Sequence, residues 1–122
     1  MPSTDLVLQP IQDVMVVNFR NASILDAIAV EAIAKDLYAL VDQQAQRKIV
    51  LDFTPVRMLS SQMIGVLINL HKKAQAIKGK VVICALRPEI SKIFKITNLD
   101  KLLTFAESEE KALNDLGIVT KA

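Results

Sequence analysis

Three short runs constrain the fold more than anything else in the chain: 14-VMVVNF-19, 48-KIVLDF-53 and 80-KVVICAL-86. Each is dense in β-branched and aliphatic residues and too short for a stable helix. The second and third lack the apolar–polar alternation of a half-exposed strand, so both faces must be covered. Between the runs lie segments long enough for helices, 24-ILDAIAVEAIAKDLYALVDQQAQ-46 and 61-SQMIGVLINLHKKAQAIK-78. Strands alternating with helices predict an α/β layered fold whose parallel strands are joined by helical crossovers.

The helical segments carry their own punctuation. Ser23 is expected to open the first, its hydroxyl accepting from a backbone N–H near Asp26, with Asp26 adding negative charge to the first turn. Ile33, Leu37, Leu40 and Val41 fall on one face, while Glu31, Lys35, Asp36 and Asp42 can point to water. The stretch 27-AIAV-30 is apolar on nearly all sides and predicts an irregular start. In the second segment Met63, Leu67, Leu70, Ala74 and Ile77 form one stripe. Lysines gather at its C-terminal end, where the helix dipole favours them, and Gly79 is expected at C′.

Pro88 suits the first turn of a short helix, 88-PEISKIFKI-96, with Ile90, Ile93 and Phe94 facing in. A short strand is expected within 102-LLTFA-106. Ser108 should cap a last helix, 109-EEKALND-115, with Gly117 beyond its end and a frayed tail 118-IVTKA-122. At the other terminus, 5-DLVLQPIQDVMVVNF-19 reads as two strands, with Pro10 marking an edge or a turn. The expected order is β-β-α-β-α-β-α-(β)-α. It makes a mixed or parallel sheet of four to five strands against about four helices, in one domain over residues 1–122 with its core at about 5–117.

With 122 residues, 52% of them hydrophobic, the chain has material for a real core. A net charge of +2 and 4% aromatic residues without tryptophan offer neither a basic footprint nor stacking platforms, so nucleic acid is not an expected partner. No apolar stretch approaches spanning length and the N-terminus lacks a basic, apolar leader, which predicts a cytoplasmic protein without membrane insertion. The lone Cys84 fits a small buried hydrophobe. The lone His71 has no metal-ligand spacing around it, and none of the three glycines belongs to a phosphate-cradling loop. No cofactor, metal or catalytic constellation is expected, and the chain does not read as an enzyme.

Two features remain. Asp52 ends a central strand, at the edge where α/β sheets place their sites, although Asp there is also a common turn or cap residue. Ser60 and Ser61 sit side by side where a strand-end loop meets a helix N-terminus. Plain N-capping accounts for a serine there. Phosphorylation is the other reading: backbone N–H groups of Gln62, Met63 and Ile64 would face the phosphate, and the helix dipole favours its charge.

The segment 50-VLDFTPVRMLSSQMIGVLINL-70 resembles the signature of STAS domains of the anti-sigma factor antagonist type. Aligned without gaps, Asp52 matches the strand-end Asp, Val56 the loop valine, and Met58 and Leu59 the hydrophobic pair. Ser60 falls on the acidic residue of the family's Asp-Ser-Ser-Gly-Leu-Gly motif, and Ser61 on its phosphoacceptor serine. Gln62 falls on the second serine, Met63 on the first glycine, Ile64 on the leucine and Gly65 on the second glycine. Farther on, 79-GKVVICAL-86 and 99-LDKLLTF-105 also resemble family segments. The resemblance implies an anti-anti-sigma factor that binds an anti-sigma factor, a serine kinase of the histidine-kinase-like ATPase type, and so frees a sigma factor. It implies phosphorylation at Ser61, with Ser60 as second choice, reversed by a serine phosphatase. The implied partner surface comprises Asp52, Thr54, Arg57, Met58, Ser60, Ser61, Gln62, Met63 and Ile64. The family also includes unphosphorylated accessory subunits of ABC-type lipid transport complexes, which is the alternative role.

Overall fold

A computed structural model describes residues 6–118. Strands β1 (Leu6–Ile11), β2 (Val14–Phe19), β4 (Lys48–Asp52), β6 (Lys80–Cys84) and β7 (Thr104–Ala106) form one sheet in the order β1-β2-β4-β6-β7. β1 pairs antiparallel with β2 and the remaining pairs are parallel. The helices are α1 (Ala27–Asp42), α2 (Ser61–Ala76), α3 (Pro88–Ile96) and α4 (Glu109–Asp115), with a 3-10 turn at Leu99–Lys101. Pro10 lies in β1, an edge strand, where its missing N–H is tolerated.

The doubly apolar strands are explained by two unequal layers. Met15, Val17, Ile49, Leu51, Val81 and Ile83 face a large core built with α1, α2 and α3. Val14, Val16, Val50, Val82 and Cys84 face a smaller core closed by Ala112 and Leu113 of α4, with Leu116 and Ile118. Phe19 and Phe53 meet edge to face in the large core, centroids 4.6 Å apart.

Several expectations need correction. The first helix starts later than Ser23. Asp26 is its N-cap, accepting from the Ala29 N–H at 3.0 Å, and residues 27–30 are regular helix. Ser23 instead belongs to a two-residue strand, β3 (Ser23–Ile24), which pairs in parallel with β5 (Met58–Leu59) outside the main sheet. Two residues are too few to leave a periodic pattern. Ile93 is 36% exposed, because Ile90 and Phe94, one turn apart, already occupy the inward face of α3. Ile118 is buried, contrary to the frayed tail expected there; residues 119–122 of that tail lie outside the described residues.

The end of α2 also differs in detail. Lys78, not Gly79, takes the left-handed C′ position, at φ 60°. Its N–H reaches the Gln75 carbonyl at 2.9 Å, and the Gly79 N–H reaches Ala74 at 2.7 Å, a Schellman closure. Gly79 is small for another reason: a Cβ there would lie 2.6 Å from the Arg47 carbonyl oxygen. Gly79→Ala is therefore expected to destabilise the chain by about 1–3 kcal/mol through overpacking against backbone. Lys78→Gly should stabilise it by about 0.5–1 kcal/mol by relieving the left-handed conformation. Urea-unfolding midpoints of the two variants check both signs.

Candidate functional site

The chain leaving β4 is fastened before α2 begins. The Phe53 N–H donates to the Cys84 carbonyl at 3.1 Å, and the Val56 N–H closes a turn onto Phe53 at 2.9 Å. The N–H groups of Arg57 and Met58 both reach the Ala22 carbonyl, at 2.7 and 3.2 Å. β5 then pairs with β3, and the Ser60 N–H donates to the Ile24 carbonyl at 2.9 Å. Residues 57–60 are thus tied to the chain that enters α1. Buried Phe53 and Val56 anchor them from below.

The two serines differ in kind. Ser60 is extended, at φ −80° and ψ 160°, and is the N-cap of α2: its Oγ accepts from the Met63 N–H at 3.1 Å. Its carbonyl accepts from Ile64 at 3.2 Å. Ser61 is the first helical residue and is exposed. The N–H groups of Met63 and Ile64 are therefore already used, which corrects the expectation that they stand open for a phosphate. The N–H groups of Ser61 and Gln62, at N1 and N2, have no intrahelical acceptor by helix geometry. No acidic residue lies in the first turn of α2, so the positive end of its dipole is not offset there.

The implied partner residues divide into two groups. Thr54, Arg57, Met58, Ser61 and Gln62 are exposed around the α2 start, with Ser60 and Ile64 half-buried among them. Met63 is wholly buried and supports the helix from beneath, and Asp52 is 8% exposed. Neither forms part of a surface. Sequence reasoning missed Leu25 and Ile28. Leu25 follows the residue whose carbonyl holds Ser60, and Ile28 lies in the first turn of α1; they are 48% and 78% exposed. With Met58, 52% exposed, they leave three large apolar side chains in water on the segments that flank Ser61. The signal for Ile28 was the all-round apolar character of 27-AIAV-30.

Asp52 points to the α4 side of the sheet, where Thr54 donates both its N–H (2.9 Å) and its hydroxyl to Oδ1. Glu109, the first residue of α4, faces it. Burial first, then a hydrogen bond with Asp52 and the charge of Asp52, push the Glu109 carboxyl up to about 7. The neighbouring Cys84 thiol is pushed up to about 12, mainly by burial. Among the described residues no three His, Cys, Asp or Glu side chains are placed to hold a metal, and no helix is long and apolar enough to cross a membrane. A raised carboxyl binds its proton more tightly folded than unfolded. Its contribution to stability is full below pH 4.5 and is lost as pH rises through about 7. Glu109→Gln should flatten that slope and stabilise the chain at pH 8 relative to the parent, by no more than about 1 kcal/mol given its solvent exposure. Denaturant unfolding of both proteins at pH 5 and pH 8 measures the difference.

Residues 5–112 match the STAS domain family. The protein named as anti-sigma factor antagonist BtrV, of Bordetella bronchiseptica, is 31% identical over 97 residues, spanning 80% of this chain and 76% of its own length. An anti-sigma factor antagonist from Mycobacterium paratuberculosis superposes with a TM-score of 0.81 at 21% identity, over 97% of this chain and 100% of that one. The phosphorylated form of SpoIIAA, a Bacillus cell fate determinant, superposes with a TM-score of 0.71 at 21% identity, over 91% and 98%. At such identities the two structures share the fold. With the family match over nearly its whole length and the signature of 50-VLDFTPVRMLSSQMIGVLINL-70 arranged around one helix start, this chain belongs to the STAS domain family.

Proposed function

We propose that this chain is an anti-sigma factor antagonist whose partner docks on the start of α2 and is released when Ser61 is phosphorylated. The observation that carries the reading is the separation of roles between the serines. Ser60 holds the cap, which leaves the Ser61 hydroxyl exposed on an already fixed helix N-terminus. The name of the BtrV relative supports the antagonist role, and the phosphorylated SpoIIAA structure supports a fold that carries a phosphate.

The mechanism is electrostatic. Met58, Leu25 and Ile28 offer an apolar centre, with Arg57, Gln62 and Thr54 as a polar rim. The partner is an anti-sigma factor that is also a serine kinase. It passes the γ-phosphoryl of ATP to Ser61 Oγ, and ADP leaves. The phosphoserine brings about −1.5 to −2 charges into a surface that a partner had covered while neutral. The positive end of α2 stabilises that charge, so the fold persists while the interface is lost. A serine phosphatase restores binding.

The experiment pairs kinase and protein with ATP and maps the modified residue by mass spectrometry. Phosphate is expected at Ser61. Ser60→Ala should lower stability by about 1 kcal/mol through loss of the cap yet still be modified. Ser61→Ala should retain kinase binding, whereas Ser61→Asp should weaken it at least tenfold. Equal binding by those two variants, or capture of an ABC-type ATPase in place of the kinase, rejects the proposal.

A further inference from the structure

The sheet ends at β7, whose outer edge has no neighbouring strand among the described residues. That edge forms the floor of a groove of about 790 Å³ between α3 and α4. Ser91 and Lys95 stand on the α3 wall, and Lys111, Asn114 and Asp115 on the α4 wall. A backbone ladder with donors and acceptors open to water is a template for one more strand. We infer that the β7 edge is a docking site for an extended segment of a partner polypeptide, which adds a sixth strand to the sheet. The inference stands apart from the α2 site.

The occupant follows from shape. β7 lies recessed between two helices, so a slim extended segment can reach strand-pairing distance, about 4.8 Å. A second copy would present an equally recessed β7, and two such edges cannot meet. The opposite edge, β1, carries Pro10, which lacks a donor, and pairing it to β7 would run head to tail without closing.

The side chains the segment must carry follow from the two layers. Phe105 belongs to the large core and meets Phe94 at 5.3 Å between centroids, with Leu86 beside the same groove. Alternate side chains of a docked strand would fall on this apolar side. Ala106 belongs to the small core, and the intervening side chains would face Asn114 and Asp115. Lys111 is paired with Glu107 at 2.6 Å, whereas Asp115 has no ion pair among the described residues. At the α3 end, Lys95 and Asp100 offset each other in charge. The segment is therefore apolar on one face and polar to basic on the other. Three residues of β7 give about 10 Å of ladder, so binding should be weak and governed by this alternation.

The test uses a synthetic heptapeptide that alternates valine with lysine and threonine, titrated into the full chain and followed by amide NMR and hydrogen exchange. Saturable shifts at Phe105 and Ala106, with at least tenfold slower exchange over Thr104–Ala106, are expected. Asn114→Trp, on the exposed wall of α4, should weaken binding at least tenfold, and Ser91→Trp supplies the same block from the α3 wall. Ser61→Asp should leave binding unchanged. No saturation by about 1 mM, a limit near −4 kcal/mol, overturns the inference, as does equal binding of a peptide with its valines grouped together. So does loss of binding in Ser61→Asp, which would place the peptide at α2. Protection of β7 that grows with protein concentration without peptide would assign the edge to a second copy and overturn it as well.

Discussion

Everything in the molecule hangs on β4. Ile49, Val50 and Leu51 are wholly buried, with successive side chains entering opposite cores. A strand that apolar cannot leave either face to water, so helices must cover both. The covering is unequal because three crossover helices lie on one side and only the last helix returns to the other. Parallel pairing then fixes where β4 ends relative to its neighbours: Asp52 stands beside Asn18 and Cys84 in register. The loop that follows inherits this position, and with it the start of α2.

The long-period features were legible in the sequence. The buried faces of α1 and α2 fall where 3.6-residue spacing puts them, and Pro88 and Ser108 mark the starts of α3 and α4. What stayed hidden was tertiary. Ser23 and Asp26 are both competent caps, and the choice between them is made by a strand pairing with residues 35 positions away. Likewise Gly79 carries a helix-ending signal that the structure uses for close approach to Arg47, while a lysine takes the left-handed turn. Local chemistry offered several candidates in each case, and contacts distant in sequence selected one.

The site was legible in part for the same reason. Position along the chain placed Ser60 and Ser61 at a helix start, but only the Ser60–Met63 bond separates the capping hydroxyl from the free one. Met63 lies at one of the positions matched to the motif and has a purely internal role, since a residue at N3 on the core side of a capped helix has nowhere else to go. Leu25 and Ile28 come from a different stretch, joined to the α2 start through the β3–β5 ladder.

The buried thiol has a practical consequence. Cys84 is the chain's sole cysteine, fully enclosed, and its thiol is held far from the thiolate form that reacts with electrophiles and oxidants. The folded protein is accordingly expected to react far more slowly with maleimides and peroxide at neutral pH than an exposed thiol would. A cysteine introduced anywhere on the surface becomes a single addressable point for a spin label or fluorophore, with no native residue to remove first.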